Sequence, residues 1–251
     1  MLKKNKKTKI AAVIACRLNS TRLFAKPLQI VGKNTILDLC IIQIKKSKLI
    51  DDIVLAISNS PGKEVFIKFA KDRKIKYVIG DEVDVLKRLI IGGKKVNAKI
   101  IVRASSENPF LYGKGIDKLI KKHISGDYDL SYLGGLPLGV GMQVVNLEAL
   151  EKSHKEGSKR HRSEFCTMYI NENPTKFKTY RLNPSKSLNR PELRLTVDTP
   201  QDLIVVRTII EKISKNNSTT PLDKIIKFLD NNPKIKKLNS NILIKYKRED
   251  L

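Results

Sequence analysis

IAAVIACRLNSTRLFAK, residues 10–26, is the stretch on which the fold turns. Its first part, Ile10 to Cys16, is an unbroken apolar run of strand length. A strand that is apolar on both faces is buried on both, as in a parallel sheet covered by helices. The chain then turns abruptly polar, and Arg17, Ser20, Thr21, Arg22 and Lys26 fall within ten residues. Ligands of open α/β sheets bind beyond the carboxyl ends of the strands. Three cations, two hydroxyls and loop amides at such an end suit a polyphosphate.

Working outward, further buried strands are expected at 53–57 (IVLAI), 75–79 and 99–103, with weaker ones near 129–133, 141–145 and 178–182 and another at 193–197 (LRLTV). Between them, apolar residues recur at helical spacing in 35–47, 62–73, 83–89, 115–124, 147–155 and 162–171. Asp81 or Glu82 is read as the cap of the third of these helices. A helix starts at Pro200, capped by Asp198 or Thr199, because proline suits the first helical turn. A last helix covers 221–230. Alternating strands and helices with continuous apolar strands argue for an α/β protein with a mostly parallel sheet and helices on both faces. The chain reads as one domain over 1–230 and a basic, loosely docked tail over 231–251.

Composition bounds the function. The 251 residues carry a formal net charge of +25, and 41% are hydrophobic, which excludes a disordered polyelectrolyte. Only twelve of the 50 basic residues are Arg; the other 38 are Lys scattered along the chain. With no Trp and 6% aromatic residues, a stacking platform for single strands is poorly supplied, so nucleic acid is not the expected partner. Cys16, Cys40 and Cys166 are too few and too scattered for a disulfide framework or a cysteine metal site. No apolar run reaches the ~20 residues of a membrane span, and no signal-peptide pattern follows the basic N-terminus. A soluble cytoplasmic protein is expected.

The other strand ends carry acids. Glu107 follows the strand ending at Arg103, and Asp198 follows the one ending at Val197. Two such carboxylates suit one Mg²⁺ held against substrate phosphates. The plainer alternatives are a helix cap for Asp198 and a solvated loop acid for Glu107. The standard phosphate motifs are absent. No G-x-G-x-x-G follows the first strand, and Gly32-Lys33 lacks the first glycine and the following Ser or Thr of a Walker A loop. His123, His154 and His161 lie away from the strand ends and are read as surface residues.

A series of motifs, in order over residues 8–215, resembles the sugar-activating nucleotidyltransferases. The resemblance is to the spore-coat polysaccharide (SpsF) branch of the acylneuraminate and 3-deoxy-manno-octulosonate cytidylyltransferases. Arg17, Ser20, Arg22, Leu23 and Lys26 match A-R-x-x-S-x-R-L-x-x-K, with Cys16 at its Ala. GDEVDVLKR (80–88) resembles G-x-x-x-D-V-L-x-R, and VRASSENPF (102–110) resembles V-R-x-x-x-D-x-P. LPLGVGMQVV (136–145), SEFCTMYI (163–170) and NRPELRLTVDTPQDL (189–203) continue the series. Phe24-Ala25 replaces a usual Pro-Gly; Glu107, Gln143 and Phe165 replace Asp, Glu and His.

The resemblance implies a Rossmann-like, nucleotide-diphospho-sugar transferase type of fold. It implies CTP or another NTP over the first strand ends. Ala15, Cys16, Arg17, Ser20, Arg22, Lys26, Asp84 and Arg103 would hold the nucleotide, with Ala56, Ile57 and Ser58 near the base. Glu107 and Asp198 would hold Mg²⁺. Gly139, Gln143 and Glu164 would lie near the sugar acceptor, and 130–190 would be the region that pairs subunits in a homodimer. Arg17, Lys26, Glu107 and Asp198 would carry transfer of CMP to an acidic sugar or sugar phosphate for surface polysaccharide synthesis. The competing readings are a guanylyl- or uridylyltransferase acting on a hexose 1-phosphate, and a catalytically altered nucleotide-binding protein.

Overall fold

The computed structural model describes residues 8–214 and 220–242. The chain runs through β1 (Ile10–Cys16), β2 (Ile30–Val31), β3 (Asn34–Thr35), α1 (Ile36–Ile44), β4 (Asp52–Ser58), α2 (Lys63–Asp72) and β5 (Lys76–Gly80). It continues through α3 (Val85–Lys95), β6 (Ile100–Ser105), α4 (Gly113–Ser125), β7 (Leu130–Leu133), β8 (Gln143–Asn146) and α5 (Leu147–Glu156). The last elements are α6 (Met168–Glu172), β9 (Thr179–Leu182), α7 (Pro200–Ile213), α8 (Leu222–Asn231) and α9 (Pro233–Lys237).

Seven strands form one sheet in the order β5-β4-β1-β6-β8-β7-β9. Only β8 runs against its neighbours; the remaining pairs are parallel. The apolar run of β1 divides by the two-residue period of a strand. Ala12, Ile14 and Cys16 pack with α1, α2 and α4, whereas Ala11 and Val13 pack with α3, α5 and α6. A third apolar cluster joins α7 and α8 to Leu193, Leu195 and Val197 beyond the sheet. The expected α/β architecture is therefore present, with an added layer beside it.

Several local expectations are corrected. The third helix does not stop at Leu89 but continues through Gly92-Gly93 to Lys95. A Cβ on Gly92 would lie 2.7 Å from Val13 Cγ1, so the glycines let the helix sit close to the sheet. Its cap is Asp84, which accepts from the Lys87 amide, rather than Asp81 or Glu82. Residues 193–197 make no sheet strand; they form a single bridge with Leu138. Their alternation is real but serves another purpose: Leu193, Leu195 and Val197 enter the third cluster, while Arg194, Thr196 and Asp198 line a cavity.

The helix expected over 162–171 is a 3-10 turn at Lys159–Arg162, a loop, and then α6. The loop is diverted because the Glu164 carbonyl accepts from Arg103 instead of a helical amide. α7 is capped by Thr199, in a reciprocal box with Asp202, leaving Asp198 free for other partners. Within the described part of the tail, α9 buries no residue, whereas Asn239 is buried and donates to the Arg194 carbonyl and Asp202. The rest of the tail lies outside the described residues.

Candidate active site

The loop after β1 folds back on itself, with the Ala25 amide donating to the Leu18 carbonyl at 3.1 Å. Ala25 is left-handed at φ 51°, ψ 37°. That conformation is easy for glycine and strained for alanine. The turn sends the Lys26 side chain inward, where it is nearly buried and reaches Asp198 Oδ1 at 2.6 Å.

Asp198 is the electrostatic hub. The same Oδ1 faces Arg22 Nη2 at 3.3 Å, and Oδ2 accepts from Arg194 Nη2 at 3.0 Å. Arg194 also grips the buried Asp202 through Nε at 2.8 Å and Nη2 at 3.0 Å. Burial pushes the Asp198 carboxyl up, but Lys26 first, then Arg22 and Arg194, outweigh it and hold it below its ordinary value. Asp198 is thus an ionised carboxylate ringed by three cations.

Two cavities adjoin here. One, of about 490 Å³, is lined by the loop after β1 together with Val85 and Arg88. The other, of about 410 Å³, lies under the segments at 132–143 and 189–198. Arg22, Arg103, Glu107, Glu164 and Asp198 line both, so these side chains form a shared wall. Five cationic side chains, Arg17, Arg22, Lys26, Arg88 and Arg103, line the first cavity against three carboxylates. That excess suits a polyanion.

Arg88 was not foreseen as a site residue. It is fully buried in α3, and Nη1 donates to the Cys16 carbonyl at 3.1 Å and the Ala56 carbonyl at 3.0 Å. It therefore fixes the ends of β1 and β4 at the edge of the cavity. Arg194 was equally unforeseen. Both are among the twelve arginines, and both fall inside motifs already quoted, which was the available signal.

The structure gathers most of the expected residues. Ala15, Cys16, Arg17, Ser20, Arg22, Lys26, Arg103, Glu107 and Asp198 line the first cavity, and Gly139, Gln143 and Glu164 line the second. Gly139 is left-handed at φ 86°, and a Cβ there would lie 2.5 Å from the Thr196 amide nitrogen. Gln143 Oε1 accepts from Arg103 Nη1 at 2.8 Å, so it orients an arginine of the shared wall. Four expected residues stand elsewhere. Ala56, Ile57 and Ser58 are buried and line neither cavity; Arg88 is bound to the Ala56 carbonyl at that end of the strand. Asp84 lines neither; its carboxylate caps α3 and meets His154 at 2.7 Å.

The histidines are not surface residues in general. His123 is buried between Ser131 and Asn146, and His161 between Ser158 and Glu172. Each makes structural hydrogen bonds away from the shared wall. Burial holds the thiols protonated: it pushes Cys16 up to about 12, despite the opposing Arg88, and also raises Cys40 and Cys166.

A divalent ion would find oxygen donors at Glu107 and Asp198. The Val197 amide donates to the Glu107 carbonyl at 3.1 Å, tying the two acidic segments together. No group of three or more His, Cys, Asp or Glu that could hold a metal occurs among the described residues. Mg²⁺ takes one or two carboxylates and completes its shell with phosphate oxygens and water; because Lys26, Arg22 and Arg194 occupy both Asp198 oxygens here, an ion bound there would have to replace some of those contacts. Among the described residues, no helix is long and apolar enough to cross a membrane.

Comparison with known proteins agrees with this geometry. The family model described as cytidylyltransferase matches residues 11–247. The chain is 33% identical over 241 residues to an uncharacterised protein of Methanocaldococcus jannaschii, covering 96% of this chain and 98% of that one. It is 26% identical over 229 residues to the spore coat polysaccharide biosynthesis protein SpsF of Bacillus subtilis, covering 89% and 95% of the two chains. The fold is similar to that of a cytidylyltransferase from Leptospira borgpetersenii, with a TM-score of 0.83, 23% identity, and coverage of 95% of this chain and 100% of that chain. The motifs, the cationic cavity and the full-length family match lead to one conclusion: the chain belongs to the cytidylyltransferase family and is a nucleotidyltransferase.

Proposed function

We propose that the protein transfers CMP from CTP to a hydroxyl of an acidic sugar or sugar phosphate, for surface polysaccharide or glycoconjugate synthesis. The observation that carries this reading is the shared wall: a polyanion cavity and a second cavity meet at Glu107, Asp198, Arg22 and Arg103. A group passed between two substrates must be reachable from both. SpsF by its name serves spore coat polysaccharide biosynthesis, which supports a sugar acceptor.

CTP lies with its triphosphate among Arg17, Ser20, Arg22 and Lys26. The acceptor oxygen attacks the α-phosphorus in line, a new O–P bond forms, and the bond to the β-phosphate oxygen breaks. The hydroxyl proton leaves to solvent, and pyrophosphate departs. Arg17, Arg22 and Lys26 meet the charge that gathers on pyrophosphate, a preorganised electrostatic role. Arg103, braced by Gln143, faces the transferred group from the shared wall. Mg²⁺ held by Glu107 and Asp198 would neutralise charge on the α-phosphate oxygens. No enzyme nucleophile is required, in keeping with the buried thiols. Holding both substrates in reacting geometry supplies much of the acceleration.

The test is pyrophosphate release with Mg²⁺, each of the four NTPs, and a panel of acidic sugars and sugar phosphates. Release with CTP above the other nucleotides is expected. Faster turnover with GTP or UTP and a hexose 1-phosphate would replace the reading.

A further inference from the structure

The second cavity contains a cation that the reading above does not use. Arg103, Gln143, Tyr132 and Arg181 are directly paired residues on β6, β8, β7 and β9. Paired residues on neighbouring strands project from the same face of a sheet. These side chains therefore form one row across four strands, and all four line the cavity. Three strand spacings separate the backbones at the ends of the row, about 14 Å.

The two arginines at its ends are in different situations. Arg103 is held by Gln143 and the Glu164 carbonyl. The side chain of Arg181, an exposed residue of β9, has no hydrogen-bond or ion-pair partner among the described residues, and it lines the cavity. All the carboxylates of that cavity, Glu107, Glu164 and Asp198, belong to the wall shared with the nucleotide side. None stands at the Arg181 end. The path of the side chain is also shaped. The atoms nearest to a Cβ built on Gly134 are Arg181 Nε, Cζ and Nη2, so the guanidinium lies directly across this glycine, and a side chain there would push the flexible arginine off its present path. Gly134 thus leaves a track for Arg181 across the end of β7.

We propose that Arg181 recognises an oxyanion on the acceptor, at the end remote from the hydroxyl that attacks phosphorus, and that Gly134 is the residue that admits it. This rests on the transferase reading and adds the class of acceptor: a sugar whose carboxylate or phosphate ester lies several bonds from the reacting oxygen. A planar guanidinium offers paired donors to either group. An acceptor whose single carboxylate adjoins the reacting hydroxyl would leave Arg181 unused.

The test measures pyrophosphate release by the full chain with CTP and Mg²⁺ from four kinds of acceptor. These are neutral aldoses, uronic acids, aldose 6-phosphates, and 2-keto-3-deoxy sugar acids without a second anionic group. Turnover is expected with uronic acids or aldose 6-phosphates, and the better of the two identifies the anion. Arg181→Ala should raise the acceptor KM by about tenfold or more while the KM for CTP stays within about twofold, since a charge-assisted contact is lost on one substrate only. Arg181→Lys should recover part of the loss. A neutral aldose or a simple 2-keto acid as the best acceptor, or an unchanged acceptor KM in Arg181→Ala, overturns the proposal. CTP binding in a thermal shift is read in parallel, so that failure of the nucleotide reading is recognised separately. Independently of turnover, the ¹⁵N-arginine side-chain signal lost in Arg181→Ala should move on titration with inorganic phosphate or acetate in the presence of CTP. A signal that stays still with both anions also overturns it.

Discussion

Asp198 joins parts of the chain that lie 172 residues apart, through its contact with Lys26. Sequence spacing brings neither residue to the other, and each has a plausible local role, one as a loop cation and one as a helix cap. The cap is instead Thr199, whose hydroxyl accepts from the Asp202 amide. Replacing Asp198 by Asn keeps the shape and removes the charge that three cations face. Activity should fall about 10²-fold or more, as for loss of a preorganised electrostatic group, measured as initial rate of pyrophosphate release. Lys26, buried against that carboxylate, should lose its place, and stability should drop by about 1–3 kcal/mol in a denaturant titration. Cys16 makes the opposite case. It stands next to Arg17 at the cavity, yet burial keeps its thiol protonated. Cys16→Ala should retain turnover within about threefold, because no covalent step depends on it. Loss of activity with the fold intact would show a thiol role.

Elements were legible where their signals were local and periodic, and less so where packing set them. The β1 run, the α1 and α7 patterns and the Pro200 helix start all appear where residue type predicts. The sequence pattern ends the third helix at Leu89, but α3 continues through Gly92-Gly93, where close approach to Val13 and Ile101 suits bare backbone. Gly92→Ala raises helix propensity and should still destabilise by about 1–3 kcal/mol from overpacking, read as a fall in the denaturant midpoint. The strand-like alternation of 193–197 is equally real, but its apolar side feeds the third cluster and its backbone pairs with Leu138 and Glu107. The capping box of α1 has a pH signature. Burial raises the Asp38 pKa, but Arg73 and Thr35 outweigh it, and the net shift is downward. A depressed carboxyl contributes stability above its unfolded value of about 3.9 and loses it as pH falls through the folded value. Asp38→Asn should therefore be less stable than the parent at neutral pH, with the difference shrinking towards pH 2. A constant difference across that range would remove the ionic part of the account.

At the scale of the molecule, the net charge of +25 divides into dispersed lysine and a few placed cations. The family resemblance was legible because its motifs sit at strand ends, where parallel topology gathers them. What could not be read from the chain was the third dimension of that gathering: which residues line the cleft and which lie beneath it. Ala56 and Ser58 lie near the end of a neighbouring strand, but both are buried and line neither cavity, and Arg88 binds the Ala56 carbonyl. The three apolar clusters serve the site by holding β1, β6 and the 193–198 segment in fixed relation, so that two cavities share one wall. That shared wall is the central claim, and following the α-phosphate tests it most directly. The protein is incubated with Mg²⁺, CTP labelled at the α-phosphorus, and the acidic sugars and sugar phosphates. The account predicts label in a CMP-sugar, with one equivalent of unlabelled pyrophosphate and loss of both products in Asp198→Asn. Label that stays in CTP with every acceptor, or that appears only as free CMP, would contradict it.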